Sequence, residues 1–207
     1  LDVDFTLTDQ ERNVPPQVFE RIAELLRSGV PVGLVSARAY QLTSKDKERT
    51  KARDLAEIVE QIRTKLDTNQ LSSIKNLYLF PENGSYGFSA GTPGTVIDFG
   101  ITSVSDDGSF LQTLMSSLSD LTENNIVRKK YAVTWRLDNL DEEQISEIQR
   151  QINKKIGELK KPYSVTKTKD SVEIIPTGAG KDVALQAFAT KLTIDPENIA
   201  TLGDQGL

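Results

Sequence analysis

Two carboxylates open the chain, Asp2 and Asp4 in LDVDFTLTD, two residues apart with Thr6 two further on, where a short apolar strand would hand over to a turn. From extended chain both acids point to the same side. Two carboxylates held close can divide the work of nucleophile and proton donor once a cation offsets their repulsion. A strand end whose Asp residues merely accept turn hydrogen bonds carries the same letters, so the pair needs company. Three further residues sit at comparable junctions: Ser36 after the apolar run PVGLV, Lys181 opening a helix after GAG, and Asp204 after IATLG. Alone, Ser36 reads as a helix cap, Lys181 as a surface residue and Asp204 as a turn former. Ligands of open parallel sheets bind outside the carboxyl ends of the strands, and it is the order and common placement of these stations that give the set its weight.

Absences narrow the chemistry. The chain has no His and no Cys, which removes Ser/His/Asp triads, His-ligated zinc, thiol catalysis and disulfide scaffolds. Any reaction must run on carboxylates, hydroxyls, Lys and Arg. A net charge of −5 argues against nucleic acid as a partner, because phosphate backbones call for a concentrated basic surface. The basic run from Lys45 to Arg53 is interleaved with Asp46, Glu48 and Asp54 and reads as a solvated helix face. The longest apolar stretches, such as Val30 to Val35, are strand-length, so no membrane span is expected. No cleavable targeting segment and no initiator Met is visible at the start. We expect a cytoplasmic protein whose first strand and last motif continue beyond the given ends.

The elements that must position these residues alternate. Val14, Val18, Ile22, Leu25 and Leu26 recur at helical spacing behind Pro15 and Pro16, and Gly29 closes the helix. PVGLVSA then reads as a buried strand, making strand, helix, strand with a right-handed crossover. A long charged helix is expected from Ser44 to about Leu71 on a stripe of Leu55, Ile58, Ile62 and Leu66, followed by the strand NLYLF and the turn PENG. Between about Gly91 and Ile175 the style changes. TVIDFGI and AVTWRL read as strands, and one helix is expected through Phe110, Leu111, Leu114, Met115, Leu118 and Leu121. A second runs through Ile145, Ile148, Ile152, Ile156 and Leu159, with Asn139 or Asp141 as its cap, and YSVTKT and SVEIIPT follow as strands. From Gly178 the first style returns with an amphipathic helix through Val183, Leu185, Phe188 and Leu192 and a strand over NIATLGD. The economical reading is an α/β core over residues 1–90 and 176–207, interrupted by an α+β module over 91–175.

On these residues the chain resembles the haloacid dehalogenase superfamily, specifically the Cof-type sugar-phosphate phosphatases with a large α/β cap. The first motif matches Asp2-Val3-Asp4-Phe5-Thr6, with Phe5 where relatives often have Gly. The second matches the hydroxyl in LVSAR, the third the Lys in GAGKDVAL and the fourth the acid in LGDQG. The resemblance implies a Rossmann-like parallel-sheet core with an inserted cap domain and Mg2+-dependent hydrolysis of a small phosphorylated metabolite, by family analogy a sugar phosphate. It further implies that Asp2 attacks phosphorus to form an aspartyl phosphate while Asp4 protonates the leaving alcohol and then activates water. Ser36 and Lys181 would bind the phosphoryl group, and Mg2+ would rest on Asp2, the Asp4 carbonyl and Asp204. Arg38 could reach the substrate or pair with surface acids, and Asn83 in PENGS could face the cleft or simply form a turn. Tyr131 and Trp135, on an expected cap strand, read as packed core before sugar-stacking positions. A phosphomutase using the same intermediate, a non-catalytic phosphate-binding module and a response-regulator-like phosphoacceptor remain the competing readings.

Overall fold

The computed structural model describes residues 1–4, 6–9, 13–44, 46–47, 54–92, 95–97, 112–116, 126–137, 140–159, 162–168 and 171–203. The chain divides into two compact units, one of Leu1–Gln41, Ala52–Gly100 and Ala179–Leu207, the other of Leu42–Lys51 and Ile101–Gly178.

In the first unit, β1 (Val32–Val35) and β2 (Leu77–Phe80) pair in parallel from Val32↔Leu77 to Val35↔Phe80, and β3 (Phe88–Ser89) adds antiparallel to β2. A parallel bridge between Asp2 and Val35 extends the sheet on its other side. Parallel strands need a crossover and burial on both faces. Helix α1 (Pro16–Arg27) supplies one cover: Pro15 and Pro16 enter with a fixed φ, Phe19, Ile22, Ala23 and Leu26 are buried, and Gly29 leaves with φ of 77°. Helix α2 (Leu55–Arg63) packs against α1, and Leu55, Ile58 and Ile62 on its inner stripe are buried. On the other face, α4 (Lys181–Leu192) sets Phe188 edge-on to Tyr78 and Phe80, at ring separations of 5.4 and 6.1 Å. Alternation along the strands sends Leu34, Leu77 and Leu79, all fully buried, to the α1 side. Each such Leu stabilises the unit by about 1.5–3 kcal/mol through loss of water contact.

Several expectations are corrected here. Leu25, assigned to the buried stripe of α1, is 42% exposed, because the helix turns Ala23 and Leu26 inward instead. Of the long helix expected from Ser44 to about Leu71, Ser44, Asp46 and Lys47 are helical, residues 45 and 48–53 lie outside the described residues, and Asp54, accepting the Glu57 N–H at 3.0 Å, caps α2, which ends at Arg63. The strand over NIATLGD does not form among the described residues. Pro196–Asn198 makes one 3-10 turn, and Ala200 to Gly203 run exposed, with Leu202 tied to the sheet by the Asp2 N–H at 2.9 Å. Of TVIDFGI, residues 98–101 lie outside the described residues and Ile97 makes a single bridge to Gly87.

The second unit contains an antiparallel sheet in the order β4 (Ile126–Arg128), β5 (Val133–Arg136), β7 (Ser171–Pro176), β6 (Tyr163–Lys167). Strand β4 went unforeseen, since three residues between Asn and Lys pairs carry too little alternation to read. Helix α3 (Glu142–Leu159) lays Ile145, Ile148, Ile152 and Ile156 against Trp135, Val172 and Ile174 on one face of the sheet. Leu114, in the helical stretch 112–116, joins that core, whereas Phe110, Leu111, Leu118 and Leu121 lie outside the described residues. Trp135 is fully buried and Tyr131 falls in the turn between β4 and β5 under the Lys130 ammonium. On the opposite face the Glu173 carboxylate accepts from Lys129 at 3.0 Å, from Thr134 and from Ser171, so a buried charge is fully compensated. Along α3 the Arg150 guanidinium beside Glu147 holds that carboxyl down to about 2.

Of the two cap candidates for α3, Asn139 lies outside the described residues and Asp141 does the work. Its carboxylate accepts the Gln144 N–H at 2.8 Å while the Gln144 side chain accepts the Asp141 N–H at 3.0 Å, a reciprocal capping box. Asp141→Ala is expected to cost about 1 kcal/mol, read as a lowered urea midpoint with unchanged m. An unaltered midpoint would show that the box contributes nothing.

Candidate active site

Three segments of the first unit converge beyond the carboxyl end of β1. The opening segment arrives beside β1, where the Val35 N–H donates to the Leu1 carbonyl at 2.9 Å. This places Asp2 and Asp4 at the sheet edge, with Asp2 and Ser36 buried there. Gly180, in extended conformation, starts α4, and Lys181 in its first turn reaches across to the Asp2 carboxylate. Asp2 is a buried acid whose other oxygen accepts the Val3 N–H at 2.8 Å, while the Lys181 side chain stays 44% exposed.

Asp4 has its own cation. Arg38 donates from Nη2 to Oδ1 at 2.7 Å and from Nε to Oδ1 and Oδ2 at 3.1 and 3.2 Å, and Ser36 Oγ lies 3.4 Å from Oδ2. Two acids are thus neutralised by two cations in separate pairs, which resolves the repulsion that their sequence spacing raises. Sequence reasoning placed Ser36 and Lys181 correctly at the junctions but offered Arg38 to the substrate or to surface acids, and the structure gives it to Asp4. The available signal was its place two residues after Ser36 in the same strand-end loop.

A turn that the sequence marked only by Asn-Gly holds this arrangement. Over Pro81–Gly84 the backbone goes left-handed at Glu82 (φ 55°), Asn83 (φ 58°) and Gly84 (φ 77°). Asn tolerates this region and Glu rarely enters it, so the fully buried Glu82 is a strained residue that no sequence cue announces. The turn donates its Glu82 and Asn83 N–H groups to the carbonyls of Arg38 (3.0 Å) and Ser36 (2.8 Å). Asn83 therefore acts here through its backbone. On the far side a Cβ on Gly84 would stand 2.6 Å from the Gly180 carbonyl, so the same turn touches the loop bearing Ser36 and the start of α4.

The donors around Asp2 and Asp4 are hard oxygens, which suit Mg2+. Among the described residues the Asp4 carbonyl accepts no backbone hydrogen bond, and the buried Thr6 hydroxyl has no partner. No group of three potential ligands occurs among the described residues, and Asp204 lies outside them. A cavity of about 620 Å³ runs from Asp2 and Lys181 between β1 and the segment 199–203. Its other walls are mostly apolar, with Leu185, Phe188 and Ile199 among them, and Asn198 and Thr201 add polar side chains.

A model of haloacid dehalogenase-like hydrolases matches residues 44–206, most of the chain, and the chain belongs to that family. Among solved structures it is similar to an N-terminally truncated IMP-nucleotidase of Plasmodium falciparum, at 20% identity over 94% of this chain and 56% of that one, with a TM-score of 0.53. It is similar to a trehalose-6-phosphate phosphatase of Aspergillus fumigatus, at 20% identity over 95% of this chain and 67% of that one (TM-score 0.52). The C-terminal domain of the trehalose-6-phosphate phosphatase of C. albicans matches at 19% identity over 89% and 58% (TM-score 0.56). At these identities the likeness is one of fold, and the chain spans little more than half the length of the IMP-nucleotidase. No curated protein matches. Among the described residues no helix is long and apolar enough to cross a membrane.

Proposed function

We propose that the chain carries the catalytic apparatus of a phosphomonoester hydrolase acting through an aspartyl phosphate. The observation that carries this reading is the Asp2–Lys181 contact beside an Asp4 held by Arg38 and Ser36. An Asp2 oxygen attacks phosphorus and the ester P–O bond breaks. Its electron pair leaves on the alcohol oxygen, which takes a proton from the Asp4 carboxyl. Water then attacks the phosphorus, giving its proton to the Asp4 carboxylate, and the bond to Asp2 breaks to restore the free carboxylate and release inorganic phosphate. Lys181 keeps Asp2 oriented and meets the charge of the phosphoryl oxygens, while the Ser36 hydroxyl donates to one of them.

Two acids against two cations leave no net positive charge for an incoming phosphate dianion, which supports a divalent ion in the working enzyme. Asp2, the Asp4 carbonyl and Asp204 would hold Mg2+, which when bound would supply positive charge to the phosphoryl oxygens. The substrate we favour is a small phosphorylated metabolite, in particular a sugar phosphate. The names of the similar structures specify a nucleotide monophosphate in one case and a sugar phosphate in the other, both small monoesters. The second unit is our candidate for the cap that selects the alcohol.

The test is phosphate release from p-nitrophenyl phosphate by the purified protein, before and after EDTA treatment. We expect release that stops with the chelator and returns with added Mg2+. Absence of turnover with any phosphate ester in the presence of Mg2+ would remove the hydrolase reading.

A further inference from the structure

We propose that Arg38 is a positioning residue that assigns different work to the two oxygens of Asp4, and that it is not a ligand of the substrate phosphate. The inference rests on the hydrolase reading above and concerns how its proton donor is aimed.

Arg38 is held at three points, its backbone N–H, its carbonyl and its guanidinium. The Arg38 N–H donates to Ser36 Oγ at 3.0 Å, the Arg38 carbonyl accepts from the strained Glu82 at 3.0 Å, and the side-chain tip grips Asp4. Its side chain is 7% exposed against 28% for Asp4, so the guanidinium lies behind the carboxylate and Asp4 faces outward. A phosphate ligand needs the reverse exposure. The grip is also unequal. Oδ1 receives two donors, the nearer at 2.7 Å, whereas Oδ2 has Nε at 3.2 Å and the Ser36 hydroxyl at 3.4 Å. The Ser36 contact lies beyond the ordinary O–H···O range and the short Nη2 contact goes to Oδ1 alone, so Oδ1 is the better-held acceptor and Oδ2 is left as the oxygen that gives and takes the proton.

Ser36 follows from the same residue. With its oxygen accepting the Arg38 N–H, the hydroxyl proton points away to Asp4 Oδ2, and in the working site to a phosphoryl oxygen. A lysine would match the charge of Arg38 but not this grip, because an ammonium is a point donor and a guanidinium a planar fork.

A proton donor matters most when the leaving oxygen is a poor one. The experiment therefore measures kcat/KM for p-nitrophenyl phosphate, whose phenolate departs readily without a proton, and for phenyl phosphate, whose phenolate does not. Both are run with Mg2+ on the wild type, Arg38→Lys and Arg38→Gln. If Arg38 aims Asp4, both variants lose about 100-fold on phenyl phosphate and less than about 5-fold on p-nitrophenyl phosphate, the loss being that of general acid catalysis. Arg38→Lys keeps a charge opposite Asp4 and should fold even where Arg38→Gln does not, so the ratio is read on whichever variant retains the wild-type circular dichroism. Equal losses on both esters, as a phosphate ligand or a damaged fold would give, overturn the inference, and so do unchanged rates. A wild type that turns over neither ester sinks the hydrolase reading and this inference with it. An active wild type with parallel losses sinks the inference alone.

Discussion

Asp2→Asn is expected to abolish phosphate release, with a loss of about 10⁴-fold or more in kcat, the scale on which removal of a nucleophile acts. At 1.36 kcal/mol per factor of ten this is about 5 kcal/mol of transition-state stabilisation. The fold should survive the change. The carboxylate oxygen that accepts the Val3 N–H at 2.8 Å has a counterpart in the amide oxygen, and Lys181, 44% exposed, can turn to water when its partner is lost. What disappears is a charged oxygen able to bond to phosphorus. Rapid acid quench with radiolabelled substrate measures this directly: the wild type should trap labelled protein and the variant none. If Asp2→Asn keeps more than a tenth of wild-type activity and still becomes labelled, Asp2 is not the nucleophile.

The second large effect is expected at Gly84, a buried residue of the Pro81–Gly84 turn. Its φ of 77° already disfavours a side chain, and a Cβ would lie 2.6 Å from the Gly180 carbonyl and 3.0 Å from the Ala184 Cβ. Neither neighbour can yield cheaply, because the Gly180 carbonyl accepts the Ala184 N–H at 3.0 Å in the first turn of α4. Gly84→Ala should therefore destabilise by about 3 kcal/mol, combining left-handed strain with overpacking. It should also shift Lys181 enough to lower kcat at least about tenfold, since small misplacements of catalytic groups are costly. The contrasting variant is Gly180→Ala. Gly180 is extended, and the atom its Cβ would meet is the Asp182 carboxylate at 2.3 Å, the free end of a side chain that can swing aside. Thermal melts of the two variants beside their steady-state rates decide the matter. If Gly84→Ala melts and turns over like the wild type, the Pro81–Gly84 turn does not brace the site.

Much of the placement of the candidate site's residues was legible because it rests on local chemistry. Asp2 and Asp4 follow from alternation in extended chain, Ser36 from the end of an apolar run, and Lys181 from the opening of an amphipathic helix. In each case the element that positions the residue is encoded within a few neighbours of it. The stripe through Ile145, Ile148, Ile152 and Ile156 was legible for the same reason, and so was Asp141 as a cap. Short or irregular pieces were not. Strand β4 has three residues, and the expected strand after Asn198 has apolar letters but only one backbone bond to the sheet among its described residues. Pairing partners decide such segments, and they lie far away in sequence.

By itself, the sequence determined which groups were available. With no His or Cys, only carboxylates, hydroxyls, Lys and Arg could do chemistry, and their periodic surroundings placed them at strand ends. Tertiary structure alone decided which acid each cation serves. Lys181 goes to Asp2 across 179 positions, and Arg38 goes to Asp4 where surface acids were equally open to it. It alone also put Glu82 into a left-handed backbone that its own propensity resists. The physical reason is range: propensity and periodicity act over one or two turns of chain, whereas ion pairing and backbone strain answer to whatever the packed sheet and its helices bring within a few ångströms.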